Sequence, residues 1–418
     1  VTGGATGGSG RPLKVLQVNK YHYPRGGAER YYFELSRMLE DRGHEVVPFS
    51  MQGPANDPSE YASFFVSPLD FDALDSLWMK VRGAARVVYS VEARRRIEDL
   101  VREVRPRVAH LHNIAHQLSP SILYGLAGQG VPVVQTLHDY KLVCPNYMMY
   151  VGGAVCERCR GGRYYQAVLN RCMRGSFARS LTASFEAYAH AALGTYRRLV
   201  DLFVSPSRWL MDRMVDHGVE AARIVHVPHA IALEGFAPAC DSGGHAAYVG
   251  RLAVGKGVET VLAAAARAPG VRFVIAGTGP LDDGLRARAG HMGLDNVEFL
   301  GYVTGDELRS VFREALCVLV PSEWYENAPI TVFEAFAFGK PVVGASIGGI
   351  PELVVDGETG LLFEAGDEAA LAERVTRLAL DRRAAAEMGR AARAKLERDH
   401  SPETHCRRIL DVYERVIR

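Results

Sequence analysis

Two carboxylates eight positions apart frame the segment Glu326-Asn-Ala-Pro-Ile-Thr-Val-Phe-Glu334. The apolar residues from Ile330 to Phe338 suit a buried helix that follows a strand at Cys317 to Val320. On one helix the two acids stand roughly 12 Å apart, too far to share a proton but suited to the two ends of one elongated ligand. Glu326 then binds sugar hydroxyls and Glu334 ribose hydroxyls. The start of such a helix, bordered by Asn327, Ala328, Pro329 and Ile330, presents N–H groups without intrahelical acceptors, and its dipole favours an anion. A second segment, Tyr248-Val-Gly-Arg251-Leu-Ala-Val-Gly-Lys256-Gly, sets an arginine fork and a lysine point charge where both can reach a diphosphate. Gly250, and Gly277 in the turn Ala276-Gly277-Thr278-Gly279-Pro280, leave room for phosphate against the backbone.

In the first half, Gln135-Thr-Leu-His138-Asp139-Tyr140 places His138 at the carboxyl end of a strand. His110 and His112 are weaker candidates because strand alternation buries them. Gly26 and Gly27 occupy the first strand-to-helix loop, but no Gly-x-Gly-x-x-Gly is present, so no dinucleotide is invoked. Cys144, Cys156, Cys159 and Cys172 can supply four thiolates to a tetrahedral structural zinc, or remain reduced or partly oxidised thiols.

The string from Glu326 to Glu334, followed by Ala335-Phe-Ala337-Phe-Gly339-Lys340-Pro341, resembles the signature of the retaining glycosyltransferases of GT-B fold known as glycosyl transferases group 1. The commonest family form carries glycine and phenylalanine after the first glutamate, where this chain has Asn327 and Ala328. The Arg251 and Lys256 segment resembles the family's diphosphate clamp, His138 its histidine near the reacting sugar, and Gly26 and Gly27 its flexible glycine loop. The resemblance spans about residues 13 to 395. It implies transfer of a sugar from a UDP- or GDP-sugar to an acceptor hydroxyl with retained anomeric configuration and no essential cofactor, in glycan, glycolipid or glycoside biosynthesis. A sugar-nucleotide epimerase, a phosphorylase and a non-catalytic nucleotide-sugar-binding subunit are the alternatives. No acid–base pair or cofactor lysine motif favours the first two, and the intact Glu326, Glu334, Arg251, Lys256 and His138 count against the third.

The elements that must position these residues read as strand and helix in alternation, an α/β pattern of parallel sheets covered by helices. Leu13 to Val18, Arg107 to Leu111, Val131 to Thr136 and Asp201 to Val204 are strands of a first series, with helices at Val91 to Val104 and Ser207 to His217. Ala246 to Val249, Val271 to Ala276, Val297 to Leu300, Cys317 to Val320 and Pro341 to Gly344 form a second, with a capping box at Thr304 and Glu307. The expectation is two Rossmann-like, doubly wound domains: 11–232 for the acceptor, 245–396 for the donor, and a helix over 397–418 returning to the first. Ser401 and Pro402 open that helix, and Asp241 to Gly244 is the expected linker.

At 418 residues the chain exceeds one core. Its 49 basic and 48 acidic side chains nearly cancel, which argues against nucleic acid as partner. The glycine-rich Val1 to Gly10 reads as a flexible tail. No apolar run reaches the roughly 20 residues of a membrane span, so a cytoplasmic protein is expected. The basic stretch Arg82 to Arg107, with Arg94, Arg95 and Arg96 and with Trp78 and Met79 upstream, suits a solvated helix face or weak contact with an anionic membrane.

Overall fold

The structure is a computed structural model that describes residues 12–68, 77–241 and 243–417. The expected tail at Val1 to Gly10 lies outside these residues, as does Ser242 of the expected linker. In chain order the strands are β1 Lys14–Val18, β2 Glu45–Phe49, β3 Val108–Leu111, β4 Val133–Thr136, β5 Tyr150–Val151, β6 Ala154–Val155, β7 Leu202–Ser205, β8 Ile224–His226, β9 His245–Val249, β10 Arg272–Ala276, β11 Val297–Gly301, β12 Ala315–Val320, β13 Val342–Ala345 and β14 Gly360–Phe363.

Contacts group these elements into two compact units. Unit 1 takes the residues up to His138, Phe185–Val204 and those from Arg408 onward; unit 2 takes Asp139–Ser184 and Ser205–Arg407. Where the sequence reading placed 139–184 in the first domain, its polar contacts explain the different grouping. Glu157 accepts from Tyr325 Oη at 3.1 Å and pairs with Arg213 at 3.4 Å, and Tyr140 Oη donates to the Tyr325 carbonyl at 3.1 Å.

In unit 1 the strands run parallel in the order β2-β1-β3-β4-β7. Pro48 places β2 at the edge, where a missing N–H costs no ladder bond. The helix Val91–Val104 starts where Ser90 Oγ accepts from the Ala93 N–H at 3.1 Å and stops where Arg105 turns left-handed at φ 49°. Between those ends Ala93, Ile97, Leu100, Val101 and Val104 recur at helical spacing and are buried.

The sheet of unit 2 is parallel throughout, in the order β11-β10-β9-β12-β13-β14. Its strands read as continuous apolar runs because successive side chains enter two different cores. Tyr248, Phe273, Ile275, Cys317 and Leu319 pack on one face, and Ala247, Val274, Ala276, Val318 and Val320 on the other. The order reverses between β9 and β12, so the loops after these two strands leave toward opposite faces and open a crevice beyond their carboxyl ends. Thr304 occupies the N-cap of the helix Gly305–Arg313, but its side chain makes no capping hydrogen bond. Gly305 enters that helix at φ +58°, which removes the regular first turn a capping box needs. Among the described residues, no helix is long and apolar enough to cross a membrane.

Candidate functional site

The crevice loops of unit 2 carry most of the residues singled out above. The loop after β9 holds Gly250, Arg251 and Lys256, and the loop after β12 holds Glu326. Glu326 Oε1 accepts from Lys256 Nζ at 2.6 Å, from Ser322 Oγ at 2.8 Å and from Trp324 Nε1 at 2.8 Å. Lys256 Nζ also lies 4.8 Å from the centre of the Trp324 ring, a cation–π contact. Burial alone raises the Glu326 carboxyl; the Lys256 charge and the three hydrogen bonds outweigh it and hold the group below its ordinary value of 4.5. Arg251 is exposed on the same loop. Lys256 is therefore joined to a carboxylate and to an aromatic ring.

Glu326 does not share a helix with Glu334. The helix is Ile330–Ala337, with Pro329 as its N-cap in extended backbone. The residue before a proline is driven out of the α region, so Ala328 cannot extend the helix back toward Glu326. Glu334 is buried within the helix. Asn327 accepts from Ser207 Oγ at 2.7 Å. Lys340 is fully buried, its ammonium donating to the Ala239 carbonyl, and burial lowers its pKa to about 8.

Close backbone approaches set these loops in place. A Cβ on Gly277 would fall 1.9 Å from the Gly250 carbonyl oxygen. Gly348 and Gly349, which the sequence reading did not single out, back the Glu326 loop. Gly349 N–H donates to the Glu326 carbonyl at 2.7 Å, and Cβ atoms at 348 and 349 would stand 2.3 Å from that oxygen and 1.9 Å from the Asn327 carbonyl oxygen. Glu352, just beyond, caps the helix Arg208–Asp216 by accepting from the N–H groups of Arg208 at 2.8 Å and Trp209 at 2.5 Å. The paired glycines were visible as a turn signal; their target some twenty residues away was not.

Unit 1 has its own polar cluster at the carboxyl ends of β1, β3 and β4. Gln17 Oε1, an acceptor, lies 2.7 Å from His112 Nε2, and His112 Nδ1 lies 3.0 Å from His138 Nε2. With Gln17 presenting Oε1, His112 carries hydrogen on Nε2 and accepts through Nδ1 from His138 Nε2. His110 stacks on His112 at 4.7 Å and joins Tyr413 Oη and Thr136 Oγ1, each at 2.7 Å. Burial, with the Lys20 charge second, lowers the His138 pKa from 6.5 to about 3, so the ring is neutral near pH 7. His110 and His112 are buried, as strand alternation anticipated, yet His112 is what orients His138. Gly26 is the N-cap of the helix Gly27–Glu40, with φ −159°, an extended conformation open to any residue.

Two family models divide the chain between them. The model described as Glycosyltransferase Family 4 matches residues 25–234, and the one described as Glycosyl transferases group 1 matches 243–395. The chain belongs to glycosyltransferase family 4. Among relatives of this family 4 glycosyltransferase, the glycogen synthase of Mycobacterium tuberculosis is 28% identical over 425 residues, 96% of this chain and 94% of that protein. The D-inositol 3-phosphate glycosyltransferase of Mycolicibacterium smegmatis is 35% identical over 188 residues, 41% of this chain and 43% of that protein. Sucrose-phosphate synthase from Thermosynechococcus elongatus has the same fold, with a TM-score of 0.72 at 20% identity, covering 96% and 98% of the two chains. So has Anabaena HepE in complex with UDP and glucose, with a TM-score of 0.68 at 18% identity, covering 96% and 100%. Both parallel sheets are thus those of a GT-B glycosyltransferase.

In this glycosyltransferase the four clustered cysteines also come together. Cys144, Cys156, Cys159 and Cys172 are all free thiols and line one small cavity of unit 2.

Proposed function

We propose that the enzyme transfers a sugar from a nucleotide diphosphate sugar to an acceptor hydroxyl with retention of anomeric configuration. The observation that carries this reading is the fixed carboxylate of Glu326, held through Oε1 by three donors beside the Lys256 ammonium, in the crevice where the strand order reverses. Oε2 is the oxygen we assign to a sugar hydroxyl, and Glu334 the group we assign to the ribose. As the glycosidic bond breaks, negative charge grows on the diphosphate, and Arg251, Lys256 and the N-terminus of Ile330–Ala337 stabilise it most at its maximum. Because the carboxylate of Glu326 is already engaged, it serves better as a hydrogen-bonding group than as a nucleophile. Attack by the acceptor on the same face as departure then accounts for retention. For His138 we keep the role the family resemblance gives it, as a hydrogen-bonding group that is neutral near pH 7.

The UDP and glucose bound to HepE make UDP-glucose the first donor to test, followed by GDP-sugars. The acceptor belongs to glycan, glycolipid or glycoside synthesis. For the basic stretch we keep a weak, salt-sensitive contact with anionic lipid as a secondary proposal. It would fall to groups such as the exposed Arg82 and Arg95, because Arg94 and Arg102 already pair with Glu98 and Asp99 at 2.7 and 3.0 Å. The Trp78 and Met79 side chains lie outside the described residues. The decisive experiment screens purified protein against nucleotide sugars by thermal shift and nucleotide release, with proton NMR of the released or transferred sugar. A donor that stabilises the protein and yields product with its starting anomeric configuration supports the reading. Inverted product overturns the mechanism, and absence of both stabilisation and release across UDP- and GDP-sugars overturns the donor assignment.

A further inference from the structure

The stretch 151–176 of unit 2 folds with almost no core of its own: Cys159 and Ala167 are its only buried apolar residues. Segments this poor in apolar burial need a covalent or metal staple to hold one conformation. The backbone around the cysteines is also costly. Tyr147, Met149, Arg171 and Arg174 all adopt positive φ, between 45° and 56°, a region that side-chain-bearing residues occupy only when their surroundings compel it. These four flank Cys144 and Cys172. Charge is just as one-sided, since Arg158, Arg160, Arg163, Arg171 and Arg174 face a single acid, Glu157, within the same stretch.

We propose that Cys144, Cys156, Cys159 and Cys172 bind one structural zinc ion. All four thiols line the same cavity, at a spacing that pairs a Cys-x-x-Cys turn with two outer ligands. Among the described residues the side chains do not already stand as a metal-ligand set, so zinc draws the four sulfurs inward to about 2.3 Å. Binding replaces four S–H bonds with four Zn–S bonds and releases four protons, with no change of oxidation state. The resulting centre carries two negative charges, which the five arginines offset. Its consequence reaches the donor loop: Glu157, next to the ligand Cys156, accepts from Tyr325, and Tyr140 donates to the Tyr325 carbonyl, so the metal fixes the residue preceding Glu326.

The test uses the full chain, purified without chelator. Elemental analysis should find about one zinc per chain, and cobalt substitution should give the d–d and thiolate charge-transfer bands of a tetrahedral tetrathiolate site. Limited trypsin digestion should leave Arg158 to Arg174 protected with zinc, cut after chelation, and protected again on zinc addition. The double variant Cys156→Ser/Cys159→Ser should lose the metal. If that variant fails to fold, metal content and digestion of the unaltered protein still decide. The proposal is overturned by zinc-free protein that resists trypsin equally with and without chelator. It is equally overturned by a disulfide among these cysteines in non-reducing peptide mapping, or by iron with the visible absorption of an iron–sulfur cluster.

Discussion

Replacing Gly349 with alanine perturbs the Glu326 loop without touching any charged group. The new Cβ falls 1.9 Å from the Asn327 carbonyl oxygen, whereas ordinary contact begins near 3.4 Å. The loop or the glycine turn must therefore yield by about 1.5 Å, and the 2.7 Å bond from Gly349 N–H to the Glu326 carbonyl is lost or bent. Overpacking of this kind costs about 1–3 kcal/mol of stability. A misplacement of about 1 Å at a reacting centre costs on the order of 10²-fold in rate, or about 2.7 kcal/mol of transition-state stabilisation. Gly284→Ala is the control, because nothing lies within 4 Å of its Cβ and it sits inside the helix Asp282–His291. The control should gain about 0.5–1 kcal/mol. Turnover with the nucleotide sugar and denaturant unfolding are measured for both variants. Gly349→Ala with unchanged midpoint and turnover within twofold of the parent would refute the claim that this turn sets the position of Glu326.

Lys256→Ala removes the main force that depresses the Glu326 carboxyl, and turnover should fall by about 10²-fold or more. In the parent, a carboxyl held below 4.5 adds stability above that pH and loses it as pH falls through its folded value; in the variant burial dominates and raises the carboxyl, so protonation favours the folded state and the loss of stability with falling pH should be smaller. Coincident melting-against-pH curves would contradict this. His138, with a pKa of about 3 when folded and 6.5 when unfolded, favours the unfolded state as pH falls below 6.5, because only the unfolded ring takes up a proton. The slope of stability between pH 6.5 and 4 should therefore be shallower in His138→Asn, and NMR should show no titration of His138 above pH 5; a ring titrating near 6.5 disproves the burial argument. Glu352→Ala leaves Ser207 as the N-cap of Arg208–Asp216 but removes the acceptor of the Arg208 and Trp209 N–H groups, and should cost about 0.5–2 kcal/mol by chemical denaturation, with a loss under 0.2 kcal/mol counting against that role.

What could be read from sequence followed the range of the forces involved. The helix Val91–Val104 was legible to the residue, because a serine cap and a five-residue apolar stripe are local signals. Ser401 was likewise legible as a cap, its Oγ accepting from the Thr404 N–H at 3.2 Å. The alternating cores of unit 2 made β9, β10, β12 and β13 plain as apolar runs, and the shorter run at the edge strand β11 was legible with them. β2 and β14 were missed, the first because Pro48 argues against a strand unless its edge position is known, the second because Gly-Leu-Leu-Phe is too short to show a period. The site divided along the same line. Glu326, Arg251, Lys256 and His138 belong to contiguous motifs, whereas Ser322, Trp324, Gly348, Gly349 and His112 matter through approaches made by the folded chain. Glu326 was displaced from the expected helix by a single local rule, the effect of Pro329 on the residue before it.

Tyr413 completes the histidine cluster of unit 1 from a position 303 residues after His110. Ribosomes add roughly 5–20 residues per second, so a nascent chain waits about 15–60 s between making the histidine and making its partner. Through that interval β1, β3 and β4 can pair, but His110 lacks the phenol that later satisfies its Nδ1, and the apolar groups of residues 408 onward are not there to cover it. Unit 1 is therefore exposed to proteases and to non-native association for as long as unit 2 is being synthesised. The burden of that delay falls on expression: shortening the chain ahead of Tyr413 should lower the yield of soluble protein more than the loss of a few surface residues elsewhere, even though every strand of both sheets is still encoded.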